Sequence, residues 1–221
     1  MLSCEHASHA VPKSLEVAFR GAEAVLRSHR GWDPGALQVA RHLSRVFEVP
    51  LVAGRFSRLV IDLNRSAHHP RLFSPWSKPL HAAQRQRLLA LHAAHWAQVV
   101  HHLEGVLAWG PRVFHVAVHS FTPELDGERR NADIGLLYDP SRQLERELAA
   151  RLKTDLSGAG CRVRLNYPYR GVADGLPTAL RKRVGAAYAG LELELNQAFV
   201  GERGVPRLST ALEHALADAL S

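Results

Sequence analysis

The sequence predicts an α/β fold, one three-layer domain whose mixed, mostly parallel sheet is covered by helices on both faces. Short apolar runs alternate along the chain with segments of helical period, the pattern of strands joined by crossover helices. Residues 113–118 form the clearest core strand, as expected in a sheet covered on both sides. No internal repeat, low-complexity tract or linker divides the 221 residues, a length that one medium-sized domain accommodates.

Taken in order, residues 1–4 read as a short strand opening at Glu5-His6, and little periodicity follows up to Gly31. Asp33-Pro34 is a helix-start signal, a capping carboxylate followed by proline at the first helical position. That helix is expected over residues 34–47, with Leu37, Ala40, Leu43 and Phe47 on one face, and Pro50 ends it. Residues 51–52 and 59–63 read as strands. Residues 66–79 carry three prolines and no period, so they form a loop able to border a site. A long helix is expected over about 80–109, with an apolar stripe of Leu88, Leu91, Trp96, Val99 and Leu103, broken by Gly110-Pro111. The core strand then ends at His119-Ser120. After a loop at 121–133 come a strand (134–138), a helix capped by Ser141 and running to about 156, and a strand (162–165). A loop at 167–175, a helix (177–187), a strand (190–195) and a closing helix (210–220) complete the chain.

Composition narrows the classes. With 46% hydrophobic and 22% charged residues, the chain matches ordinary globular usage and not disorder. A chain of this size buries about 70% of its unfolded surface, so it needs no metal to fold and any metal is catalytic. Two cysteines, Cys4 and Cys161, make no disulfide framework, and no leader or membrane-length apolar run is seen. The expected setting is therefore soluble and cytoplasmic, with no membrane partner. Lys and Arg number 28 against 21 Asp and Glu, a formal charge of +7, which favours anionic ligands, small carboxylates and nucleic acid alike.

Four expected strands end in polar clusters: Glu5-His6, Asp62 to Arg65, His119-Ser120 and Glu194 to Gln197. Ligands of open α/β sheets collect beyond the carboxyl ends of strands, so this recurrence marks a site more firmly than any one cluster. Several segments then resemble a known family. They are Ser3-Cys4-Glu5-His6-Ala7-Ser8, Gly31-Trp32-Asp33-Pro34-Gly35-Ala36, Arg58-Leu59-Val60-Ile61-Asp62-Leu63-Asn64-Arg65-Ser66 and Val118-His119-Ser120-Phe121-Thr122-Pro123. Arg129-Arg130-Asn131-Ala132-Asp133-Ile134-Gly135, Tyr167-Pro168-Tyr169-Arg170-Gly171 and Glu192-Leu193-Glu194-Leu195-Asn196-Gln197 follow. In combination and in order, they resemble the N-formylglutamate amidohydrolases. That family is distantly similar to zinc carboxypeptidases and aspartoacylase-type deacylases.

The resemblance implies a carboxypeptidase-like sheet and a metal-dependent amidohydrolase acting on a small anionic N-acyl amino acid of the N-formylglutamate kind. Zn²⁺ is the implied cofactor, with another divalent metal as the alternative. A catalytic zinc takes three protein ligands and leaves one position open. His119 and His6 are the implied imidazoles. Carboxypeptidases place a Glu three residues after the first His, where this chain has His9. Asp33 is therefore taken as the carboxylate ligand, with Glu5 as the alternative and a helix cap as the other reading of Asp33. Glu194 resembles the catalytic Glu that takes a proton from water and returns it to the leaving amine, and Glu192, of the same strand parity, is its alternative.

Read as a strand, residues 58–64 place Arg58, Val60, Asp62 and Asn64 on one face, and a buried polar face needs partners. Arg58 can steady the oxyanion, and Arg65 with Asn64 can clamp a substrate carboxylate. Asp62 reads as the orienter of an Arg or a His. Arg130, Asn131 and Arg170 are further anion-binding candidates on loops. The helix histidines His81, His92, His95, His101 and His102 read as a solvated or semi-buried face, and Cys4 as a small buried hydrophobe. No phosphate loop, CxxC pair or GxSxG elbow is present. The alternative is another deacylase or a carboxypeptidase-like enzyme on the same scaffold; a basic nucleic-acid module is a remote one, supported only by the charge and leaving the strand-end clusters unexplained, so no nucleic-acid partner is expected.

Overall fold

The computed structural model describes residues 1–199 and 204–220. Its strands are β1 (Leu2–Cys4), β2 (Leu51–Ala53), β3 (Val113–Phe121), β4 (Glu124–Leu125), β5 (Glu128–Arg129), β6 (Ile134–Leu137), β7 (Val163–Leu165) and β8 (Tyr188–Asn196). Its helices are α1 (Glu23–Arg27), α2 (Ala36–Val46), α3 (Ala82–Leu107), α4 (Gln143–Gly158), α5 (Leu176–Val184) and α6 (Gly204–Leu220). Six strands form one sheet in the order β2-β1-β3-β8-β6-β7, and β4 and β5 make a separate hairpin. β1, β2, β3 and β8 run parallel, whereas β6 lies antiparallel to β8 and carries β7 parallel to itself. The mixed, mostly parallel α/β sheet expected from the sequence is present.

Strand parity assigns the two faces, because successive side chains of a strand point to opposite sides. Leu2, Cys4, Val116, Val118, Ile134, Leu136, Leu191, Leu193 and Leu195 share an apolar core with buried residues of α2, α4 and α6. The alternate positions of the same strands face α3 and α5. There Met1, Val52, Val113 and Tyr188 pack on Val99, Leu103, Leu176 and Leu180. Further along the same face the residues turn polar: Ser3, His115, His119, Glu192 and Glu194, all buried. The β3–β8 register pairs Ala117 with Glu192 and His119 with Glu194. Parallel strands bring their carboxyl ends to one edge, so these groups meet Glu5 and His6, which follow β1.

Two expectations are corrected. Residues 59–63 are no strand; they lie in a looped segment closed by local bonds from Val60 N to Ser57 O (2.9 Å), Asp62 N to Leu72 O (3.0 Å) and Arg65 N to Asp62 O (3.1 Å). Val60 and Ile61, adjacent in sequence, are both buried in one cluster with Leu63, Leu15, Phe19, Leu26, Leu72 and Leu88, which strand alternation does not allow. This small core also orders the stretch before Gly31, where a 3-10 segment (Lys13–Phe19) and α1 stand in place of irregular chain. Second, α2 begins at Ala36 after Gly35, which has φ 81° and no side chain to accept from the helix N–H groups. Asp33 and Pro34 precede the helix, so the Asp33 carboxylate is free to turn elsewhere.

His115 shows what burial on the polar face costs. Its Nε2 lies 2.8 Å from Ser3 Oγ and its Nδ1 2.7 Å from Tyr188 Oη. Burial pushes its pKa down to about 3. Between the ordinary value of about 6.5 and 3 the unfolded chain binds one more proton than the folded one. Stability attributable to this group therefore falls as pH drops through that window, by about 1.4 kcal/mol per unit. Denaturant titrations from pH 7 to pH 4 are expected to show a shallower loss for His115→Gln than for wild type. Identical slopes would remove the assignment.

Candidate active site

Three loops are sewn together before any catalytic side chain is placed. Asp33 N donates to His6 O (3.0 Å), Arg58 N to Gly31 O (3.1 Å), and Ser57 Oγ to the same Gly31 O (2.7 Å). The segment after β1, the turn before α2 and the looped segment at 57–66 therefore share one edge. Helix α3 buttresses the last of these: His92 Nε2 donates to Arg65 O and Trp96 Nε1 to Leu63 O, both at 2.7 Å.

His6, Asp33 and His119 converge. Asp33 Oδ2 is 3.3 Å from His6 Nδ1 and 2.9 Å from His119 Nδ1, and one potential ligand atom from each residue lies within 4.8 Å of the others. Asp33 thus faces the imidazoles and not the helix terminus. The far ring nitrogens also meet carboxylates. His6 Nε2 is 2.7 Å from Asp62 Oδ1, and His119 Nε2 is 3.0 Å from Glu5 Oε2. A carboxylate near Nε2 favours a proton there, so that Nδ1 is the nitrogen available to an ion, the arrangement of metal-binding histidines. The donor set, two imidazoles and one carboxylate, suits a catalytic zinc-type ion. Glu5, the alternative ligand, lies behind His119 and outside this triad.

The electrostatics follow from the pairing. Burial opposes the charged form of His119, but Asp33 and Glu5 on either side hold its pKa well above the usual value. Burial likewise raises the Asp62 carboxyl, yet Arg58 and His6 outweigh it and hold it well below the usual range. Asp62 therefore orients both an Arg and a His, with Arg58 Nη2 donating to Oδ2 at 2.8 Å.

Glu194 differs. Its Oε2 is buried without a hydrogen-bond partner, and burial pushes its pKa up to about 8, with Asp33 and Glu192 adding to the rise and His119 and Arg58 opposing it. Glu192, also raised chiefly by burial, is engaged at Oε2 by Asn64 Nδ2 (3.2 Å). The two carboxylates that sequence could not separate are thus distinguished by their partners.

These groups line a cleft of about 450 Å³ together with Arg58, Arg65, Arg170, Ser120 and Tyr169. His29 and Arg71 also line it; the sequence reading missed both, since neither ends a strand. Gly171 presses so close that a Cβ would collide with Tyr138 N, which fixes the loop carrying Arg170 at the rim. Asn64 lines the cleft beside Arg65, with Nδ2 donating to Glu192 and Oδ1 accepting from Leu176 N at 3.0 Å. Arg65 donates from Nη1 to Asp174 O (3.1 Å). Arg130 lies over the Tyr169 ring and bonds its hydroxyl; Asn131 is exposed and accepts from Arg162. Neither lines the cleft. The helix histidines divide: His92 and His95 are buried, more deeply than a semi-buried face implies, whereas His81 and His101 are exposed.

A family model for N-formylglutamate amidohydrolase matches residues 1–200. A search of curated proteins found no match. Among solved structures, a gene product from Agrobacterium tumefaciens is similar at 33% identity, with TM-score 0.86 over 100% of this chain and 89% of that one. N-formylglutamate amidohydrolase from Ralstonia eutropha JMP134 is similar at 20% identity, with TM-score 0.74 over 99% and 92%. A bacteriophage poly-gamma-glutamate hydrolase, at 12% identity and TM-score 0.53 over 99% and 83%, shares the fold. Among the described residues, no helix is long and apolar enough to cross a membrane.

Proposed function

The chain belongs to the N-formylglutamate amidohydrolase family, and from that premise we propose that it hydrolyses the amide of an N-formylglutamate-like amino acid with a Zn²⁺ ion held by His6, Asp33 and His119. The observation that carries this reading is the convergence of both Nδ1 atoms on Asp33 Oδ2, with both Nε2 atoms backed by carboxylates. When bound there, such an ion supplies Lewis acidity for the acyl carbonyl and acidifies a neighbouring water.

The protein's own groups do the rest. Glu194, its Oε2 without a hydrogen-bond partner and its pKa pushed up by burial, takes a proton from the attacking water and passes it to the amine nitrogen as the C–N bond breaks. The water oxygen stays on the acyl carbon, and the free amino acid departs. Arg58, anchored by Asp62 and lining the cleft, steadies negative charge on the acyl oxygen. Arg170 and Arg65 receive the substrate carboxylates at the rim. A cleft of about 450 Å³ suits a ligand of amino-acid size.

The test is a release assay across formyl, acetyl and succinyl derivatives of several amino acids, with and without chelator. Formylglutamate is expected to turn over fastest, chelator to abolish activity and zinc to restore it. Turnover unaffected by exhaustive chelation would overturn the metal reading. Arg170→Gln is expected to raise KM about 10-fold or more while leaving kcat largely intact, since a charge-assisted bond contributes about 1.5–3 kcal/mol. An unchanged KM would take Arg170 out of substrate binding.

A further inference from the structure

Helix α3 sends one buried histidine toward the back of the metal cluster. His95 is 8% exposed, and its Nε2 has no hydrogen-bond partner. It lies 3.7 Å from Oε1 of Glu5, a residue with no exposure at all. The other Glu5 oxygen, Oε2, is 3.0 Å from His119 Nε2. That contact is within ion-pair range but lacks hydrogen-bond alignment, so neither Glu5 oxygen has an aligned donor. The Glu5 carboxylate is thus enclosed between two imidazoles, one on β3 and one on α3.

An enclosed carboxylate without donors is costly, and its position is set by whatever opposite charge or N–H it can reach. Against Glu5 that set is His119 and His95. Its main chain is fixed as well: Cys4 O accepts from Gly54 N at 2.9 Å, and a Cβ on Gly54 would collide with Glu5 O. The carboxylate itself has His119 nearest one oxygen and His95 nearest the other.

Resting on the metal reading above, we infer that His95 is a positioning residue: through Glu5 it holds the His119 ring with Nε2 toward Glu5 and Nδ1 toward Asp33 Oδ2, the orientation that would offer Nδ1 to an ion. The line from α3 through Glu5 to His119 ends at Asp33 Oδ2. Outer partners of this kind tune metal affinity by about 10–100-fold. His95 is therefore a determinant of metal retention, although it lies outside the ligand triad and outside the cleft lining.

The experiment measures zinc dissociation constants by chelator competition for wild type, H95F, H95Q and E5Q, together with melting of each metal-free protein. H95F, which keeps a ring but removes both nitrogens, is expected to weaken zinc at least about 10-fold with the metal-free fold retained. H95Q, which keeps an N–H donor, is expected to recover most of that affinity. E5Q is expected to weaken zinc likewise, and H95F added to E5Q to cost little more, because the two act in series. Should H95F not fold, H95N, whose shorter side chain does not extend to Glu5, carries the same test. Wild-type affinity in H95F, or in E5Q, overturns the inference and leaves the hydrolase reading standing. Wild-type protein that takes up no zinc overturns both.

Discussion

Replacing Glu194 with Gln is expected to lower kcat by roughly 10²–10⁴-fold, the range for loss of a general base, while about one equivalent of zinc is still bound. Glu194 sits outside the ligand triad, so metal content and turnover should separate cleanly. Stability should move the other way. Burial pushes the carboxyl up to about 8 from an ordinary 4.5, so the folded protein binds more protons than the unfolded chain between those values. Metal-free wild type therefore loses stability as pH rises through that window. The amide removes this burden, and metal-free Glu194→Gln is expected to melt higher than wild type at pH 7–8. A variant with near-normal kcat would transfer the proton-carrying role elsewhere, Glu192 being the next carboxylate along the strand.

Asp33→Ala is expected to abolish stoichiometric zinc binding and to reduce kcat/KM roughly a thousandfold or more, the scale of the several kcal/mol that Lewis-acid assistance contributes. Its Oδ2 faces both Nδ1 atoms and accepts from Ser120 N at 3.3 Å. Removing it strips two buried imidazoles of their common partner. A cost of about 3–5 kcal/mol is the usual scale when one member of a buried charged pair is deleted, so the metal-free variant should also melt earlier. A helix-capping role predicts a different result, a loss near 1 kcal/mol with zinc retained. Elemental analysis and a melting curve on one preparation discriminate the two.

The parts of the site that were readable in sequence are those attached to the sheet. His119 and Glu194 lie on strands whose other parity is Val, Leu and Ala, so polar residues there stand out against an apolar alternation. Glu5 and His6 follow the same logic after β1. What could not be read belongs to loops and to the helix behind them. Residues 59–63 imitate a strand because Leu59, Ile61 and Leu63 alternate with polar neighbours, yet Val60 is as buried as Ile61, and only a separate small core explains why. Asn64 and Arg65 lie side by side in sequence but face different partners, a distinction made by Glu192 and Asp174 far along the chain. His95 resembles a solvated helix residue until Glu5, 90 positions away in sequence, is brought against it.

The pairing of β3 with β8 has a consequence for how the chain reaches this state. Were the two strands to zip together one residue out of step, His119 would stand opposite Leu193 or Leu195, and one strand would turn its acids or imidazole into the hydrocarbon layer on the other side of the sheet. Such a mispairing is penalised at once, because it strands charge among leucines. The groups that do the chemistry thereby serve as a key that only the correct alignment turns.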